Sequence, residues 1–99
     1  MKSKPPSTVW LIMHYEFMFE GKLDCMQFHV SSTLKKAEAY VKKSGVMPYS
    51  WWQVHRYVVD EHGDGEEVYY YSHQGRRLNK APHDQALRAF WKYKKKADG

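Results

Sequence analysis

The stretch TVWLIMHYEFMFEGKLDCMQFHV, residues 8–30, decides how this chain folds. It contains no proline, and β-branched and aromatic residues crowd its first half, which suits a pleated, half-buried strand. Glu20-Gly21-Lys22-Leu23 interrupts the run, and a glycine followed by a polar residue is the central pair of a type II′ hairpin loop. With Gly21-Lys22 as that loop, Phe17 opposes Met26, Tyr15 opposes Phe28 and Met13 opposes Val30 on one face. The other face receives Met18 with Cys25, Glu16 with Gln27, and His14 with His29. A slip of one residue mixes the two sets, so the turn and the pattern support each other.

Beyond the hairpin, Ser31-Ser32-Thr33 offers hydroxyl caps for a helix. Leu34, Ala37, Tyr40, Val41 and Ser44 follow helical spacing, Gly45 suits the helix end, and Pro48 prevents its resumption. Residues 51–60 read as a third strand and 66–73 as a fourth, joined by the turn His62-Gly63-Asp64-Gly65. A symmetric register sets Val59 against Val68 and Tyr57 against Tyr70. Residues 74–81 form a basic loop, and Pro82 opens a last helix running to about Lys96 with Ala86, Leu87, Phe90 and Trp91 as its apolar stripe. The order β-β-α-β-β-α implies an α+β fold: a mainly antiparallel four-stranded sheet with two helices packed on one face. Residues 1–7 (MKSKPPS) read as a flexible basic N-terminal arm, and 8–97 as a single domain.

The composition narrows the class. One cysteine, Cys25, excludes an internal disulfide, and no apolar run approaches the roughly 20 residues of a membrane helix. A cytoplasmic protein with no membrane association is expected. Four Trp, eight Tyr and four Phe in 99 residues supply large buried area to a small core. The net charge of +5 fits nucleic acid, an acidic protein or solubility alone.

No phosphate-cradling glycine motif, nucleophile motif or zinc-ligand spacing is present, so no catalytic residue and no cofactor is assigned, and the reading leans against an enzyme. Three surfaces remain. His14, His29 and Glu16 share one face of the first hairpin, where imidazole and carboxylate form a donor set for a divalent metal or acid–base chemistry. Polar residues on an outer sheet face are also what alternation alone demands. Arg76, Arg77, Arg88, Lys92, Lys94, Lys95 and Lys96, close to Trp91 and Tyr93, form a footprint for phosphate-backbone binding, against the plainer reading of a solvated lysine-rich helix. Trp51-Trp52 and Tyr69-Tyr70-Tyr71 place neighbouring aromatics on opposite faces of their strands, so part of each set is expected to be exposed. Trp51, Trp52, Tyr69 and Tyr71 are thus candidates for an interface with a protein partner or a second copy. The leading expectation is a binding or regulatory domain that meets a protein or itself through an aromatic sheet surface.

Overall fold

The computed structural model describes residues 8–58 and 67–98. The basic arm expected over residues 1–7 and the turn at His62-Gly63-Asp64-Gly65 lie outside the described residues. The elements run β1 (Thr8–Met18), β2 (Lys22–Ser31), α1 (Leu34–Ser44), β3 (Ser50–Val58), β4 (Glu67–Tyr71), β5 (Arg77–Leu78) and α2 (His83–Asp98). The α+β class, the antiparallel sheet and two helices are as expected, but among the described residues the sheet has five strands in the order β2-β1-β3-β4-β5. The fifth strand lies inside the expected basic loop, where Leu78 pairs with Tyr70 and Arg77 with Tyr71. A turn makes it: the Ser72 hydroxyl oxygen accepts the backbone N–H of Gln74 at 3.2 Å and of Arg76 at 3.1 Å. Two residues pair too briefly to leave an alternating pattern in the sequence.

The first hairpin forms in a different register. Its turn centres on Glu20-Gly21, not Gly21-Lys22: the Lys22 N–H bonds the Phe19 carbonyl at 3.2 Å, and both central residues have positive φ, 57° and 84°. Positive φ at both centres is the mark of a type I′ turn, whose twist matches the flanking strands. The ladder begins at Met18 with Lys22, leaving Phe19-Glu20-Gly21 as the connection, so Phe17 pairs with Leu23 and Tyr15 with Cys25. A bulge between His14 and Tyr15 in the ladder then shifts the register, so His14 pairs with Gln27, Met13 with Phe28, Ile12 with His29 and Leu11 with Val30. His14 and His29 are consequently offset along the sheet, not directly opposed. The second hairpin is displaced by four residues from the symmetric register, pairing His55 with Val68 and Gln53 with Tyr70. An even displacement preserves which residues share a face.

The largest correction concerns the helices, which lie on opposite faces of the sheet. On the first face Ala37 and Val41 of α1 pack with Ile12, Trp52, Val54 and Tyr71. On the second, Ala86 and Phe90 of α2 pack with Phe17 and Trp51. The sequence of β3 forces this division. Trp51 and Trp52 are successive strand residues and point to opposite sides, and both are almost wholly buried, at 2% and 1% exposure. Each needs its own cover, and each helix supplies one.

Local signals for the helices hold. The Thr33 hydroxyl oxygen caps α1 by accepting the Lys36 N–H at 3.1 Å. Gly45, with φ 44°, follows its last residue.

Two glycines separate backbone strain from steric fit. Gly45 has open space around it, whereas a Cβ on Gly75 (φ 84°) would sit 2.8 Å from Lys42 Cα, where the turn presses on α1. Gly45→Ala should cost only the price of positive φ, about 1 kcal/mol. Gly75→Ala adds a backbone clash and should cost about 2–4 kcal/mol, measurable by urea denaturation. Equal effects at the two positions would show that the 72–76 turn does not seat firmly on α1.

Candidate functional site

The hairpin cluster comes together only in part. His14 is almost buried and stacks on the Trp52 indole, with ring centroids 4.7 Å apart and 25° between planes. Its Nε2 lies 3.7 Å from Glu16 Oε1, the oxygen that also accepts the Ser50 hydroxyl at 2.8 Å. His29 turns elsewhere, stacking at 4.4 Å on Tyr40 of α1. Among the described residues no group of three or more His, Cys, Asp and Glu side chains converges as a metal cage would require. The Ser50 hydroxyl donates to Glu16 and not to His14, so the serine–histidine hydrogen bond of an activated serine is not formed. The geometry suits a structural role: a buried hydroxyl satisfied by a carboxylate, beside an imidazole whose Nε2 is buried without a hydrogen-bond partner among the described residues.

The basic residues divide into two sets. Arg77 is engaged, with its guanidinium 3.9 Å above the Tyr69 ring and Nη1 4.0 Å from Glu38 Oε2. Glu38 also accepts the Tyr71 hydroxyl at 2.7 Å, and burial together with that bond raises the Tyr71 pKa. Arg76 is exposed beside a cleft shared with Lys42 and Gln74. The second set lies on α2. Arg88, Lys92, Lys95 and Lys96 are exposed, and Lys94 reaches back over the Trp91 ring at 5.8 Å. Arg88, Lys92 and Lys95 recur at i, i+4 and i+7, one helical stripe turned away from buried Ala86 and Phe90. Trp91, 47% exposed, flanks that stripe.

The aromatic candidates need the clearest correction. Trp51 and Trp52 are core residues of opposite faces, and Tyr71, at 1% exposure, belongs to the α1 side. None of the three offers surface to a partner. Tyr69 is half-buried against the α1 core and donates its hydroxyl to Glu67. The aromatic surface lies one residue out of phase with these.

On the second face, the residues packed with α2 are Tyr15, Phe17, Tyr49 and Trp51. Past them the same face continues through Val9, Leu11 and Met13 of β1, Gln53, His55 and Tyr57 of β3, and Val68 and Tyr70 of β4. All eight are half-buried, and none belongs to either buried cluster. Val30 of β2, paired with Leu11, extends the patch and is 52% exposed. The His55 ring lies parallel to that of Tyr57, and its Nε2 is buried without a hydrogen-bond partner among the described residues. Tyr15 donates its hydroxyl to the Met13 sulfur at 3.6 Å, a polar contact toward the covered end. The sequence carried a signal for this surface, the alternation of β1 and β3, but no sign of where α2 stops.

No family model matches the chain, and no curated protein or solved structure matches it either.

Burial lowers the pKa of His14 and of His55 below the ordinary 6.5, with Glu16 partly opposing the shift at His14. Below that pH the unfolded chain takes up protons that these two folded imidazoles resist, so stability falls as the solution is acidified. Urea midpoints measured from pH 7.5 to 5 should therefore decline below about pH 6.5. His14→Gln combined with His55→Gln should flatten the decline, and an unchanged slope in that double variant would assign it to other groups.

Proposed function

We propose that this chain is a small non-enzymatic binding module that docks a protein on the half of the second sheet face lying beyond α2. The observation that supports this reading is the stretch from Leu11 and Met13 across Gln53 and Tyr57 to Tyr70, over which no helix packs among the described residues. A sheet face lined mainly by leucine, methionine, valine and tyrosine, with Gln53 and His55 among them, placed next to a covered core, resembles the centre of a protein interface. Tyr57 and Tyr70 supply area at low entropic cost and carry hydroxyls for a polar rim. The single cysteine, Cys25, exposed on β2, fits a reducing cytoplasmic setting.

A photo-crosslinking residue placed at Tyr57 tests this reading in cells that make the protein. It should yield a discrete protein adduct that is absent when the crosslinker is moved to Lys92. Tyr70→Ala should weaken capture of that partner at least about tenfold, as truncation of an interface anchor does. Adducts of equal yield from both positions, or a yield indifferent to Tyr70→Ala, would falsify docking on this face.

A second reading has one specific observation in its favour, the Arg88, Lys92 and Lys95 stripe with Trp91 beside it. Such a stripe can track a phosphate backbone while the indole stacks on a base. Under this reading, fluorescence anisotropy with a labelled single strand should show affinity falling steeply with salt. Changing the three cations to glutamine should reduce the log–log salt slope by about 2–3. Binding that ignores salt, or is absent even at low salt, assigns the stripe to solvation.

A further inference from the structure

Beyond the docking face, the sheet has a second unpartnered feature in its outer strand. β2 is the edge of the five-stranded sheet and is ten residues long, against two residues for β5 at the other edge. Among the described residues no backbone hydrogen bond joins its outer side to another element. Leu23, Met26 and Val30 are 39%, 42% and 52% exposed along it. Edge strands are commonly blunted by charges, prolines, shortness or bulges, because free N–H and C=O groups template further pairing, and on β2 the bulge at Met26 is the one such device beyond the turn among the described residues. Here the charges, Lys22 and Asp24, stand only at the turn end, and residues 25–31 carry no Lys, Arg, Asp or Glu.

We infer that two copies of this chain pair antiparallel through β2, about a two-fold axis between Met26 and Gln27, joining two five-stranded sheets into one of ten. The bulge selects this register. In a regular strand, residues 23 and 30 would face opposite sides and could not oppose each other across a two-fold axis. Extra residue Met26 resets the alternation: Leu23 pairs with Phe17 and Val30 with Leu11, both on the second face. Leu23 of one copy then meets Val30 of the other, an apolar pair. On the first face, Asp24 meets His29, a carboxylate beside a ring that carries an N–H donor. The pairing is isologous, so each contact occurs twice and the assembly closes at two copies. A second copy, and not a foreign strand, is the occupant this edge fits, because both its apolar and its polar positions complement themselves.

Sedimentation velocity of the full chain from micromolar to millimolar concentration is the direct test, with a charge swap to fix the register. The expected result is a monomer–dimer equilibrium. Leu23→Glu alone and Val30→Lys alone should each weaken association at least tenfold. The double variant should recover it, since the two new charges face each other across the axis. Both positions are exposed, so the folded monomer should tolerate them, and far-UV circular dichroism checks that it does. Amide exchange of the unmodified chain provides a measurement independent of any variant: protection over residues 22–31 should rise with concentration. A monomer at every concentration, or a dimer indifferent to both single substitutions, would overturn the proposal. Val30 also borders the docking face, so Leu23→Glu, at the end of the sheet covered by α2, separates the two readings, as do Tyr57 and Tyr70, which lie on β3 and β4.

Discussion

Two adjacent tryptophans govern the rest of this structure. Trp51 and Trp52 lie on β3, the central strand, and a strand cannot turn successive side chains the same way. Each indole is a large apolar surface, and losing either to alanine would cost about 3–5 kcal/mol, a substantial share of a small domain's stability. The sheet must therefore be covered on both sides at that point. α1 does this for Trp52 with Ala37 and Val41, and α2 for Trp51 with Ala86 and Phe90. Both indole N–H groups are buried without a hydrogen-bond partner among the described residues, so packing, not polar contacts, holds the pair.

The two covers are unequal, and the inequality produces the candidate surface. On the first face the core reaches from Ile12 on β1 through Trp52 and Val54 on β3 to Tyr71 on β4. On the second, α2 serves the end of the sheet near the first turn, where Trp91 stands against Gly21. The remainder of that face keeps an apolar and aromatic lining without a helix over it. Charge is distributed separately from this lining. The cations of α2 lie on its outer side, while Arg77 is tied to Tyr69 and Glu38 at the β4–β5 edge. The neutral and basic surfaces are thus distinct, and each can be altered without disturbing the other.

The bulge in the first hairpin connects local geometry with the sheet edge. Near the turn, the register follows the three-residue connection Phe19-Glu20-Gly21; beyond the bulge, it is shifted by one. The shift keeps His29 on the α1 side, where it stacks on Tyr40, and keeps Val30 on the second face opposite Leu11. One extra residue, Met26, lets a turn and a two-sided core agree on one strand.

The sequence by itself determined four of the strands, both helices and the parity of the sheet outside residues 22–25 of β2. Alternation in residues 8–30 marked both strands, Thr33 and Gly45 bounded α1, and the apolar spacing of Ala86 and Phe90 marked the buried side of α2. These signals are local, arising from φ/ψ preference, capping and side-chain period. Tertiary structure alone decided which face each helix covers, because a 3.6-residue stripe shows that a helix has a buried side but not which side of the sheet receives it. It also decided the strand register, since Gly21 serves a two-residue turn with Lys22 as well as the three-residue connection Phe19-Glu20-Gly21 that forms, and only the packing of the strands distinguishes them. For the same reason the candidate surface moved from Trp51, Trp52 and Tyr71 to Tyr57 and Tyr70. Alternation sorts residues into two faces, and only the seat of α2 determines where one of those faces remains open.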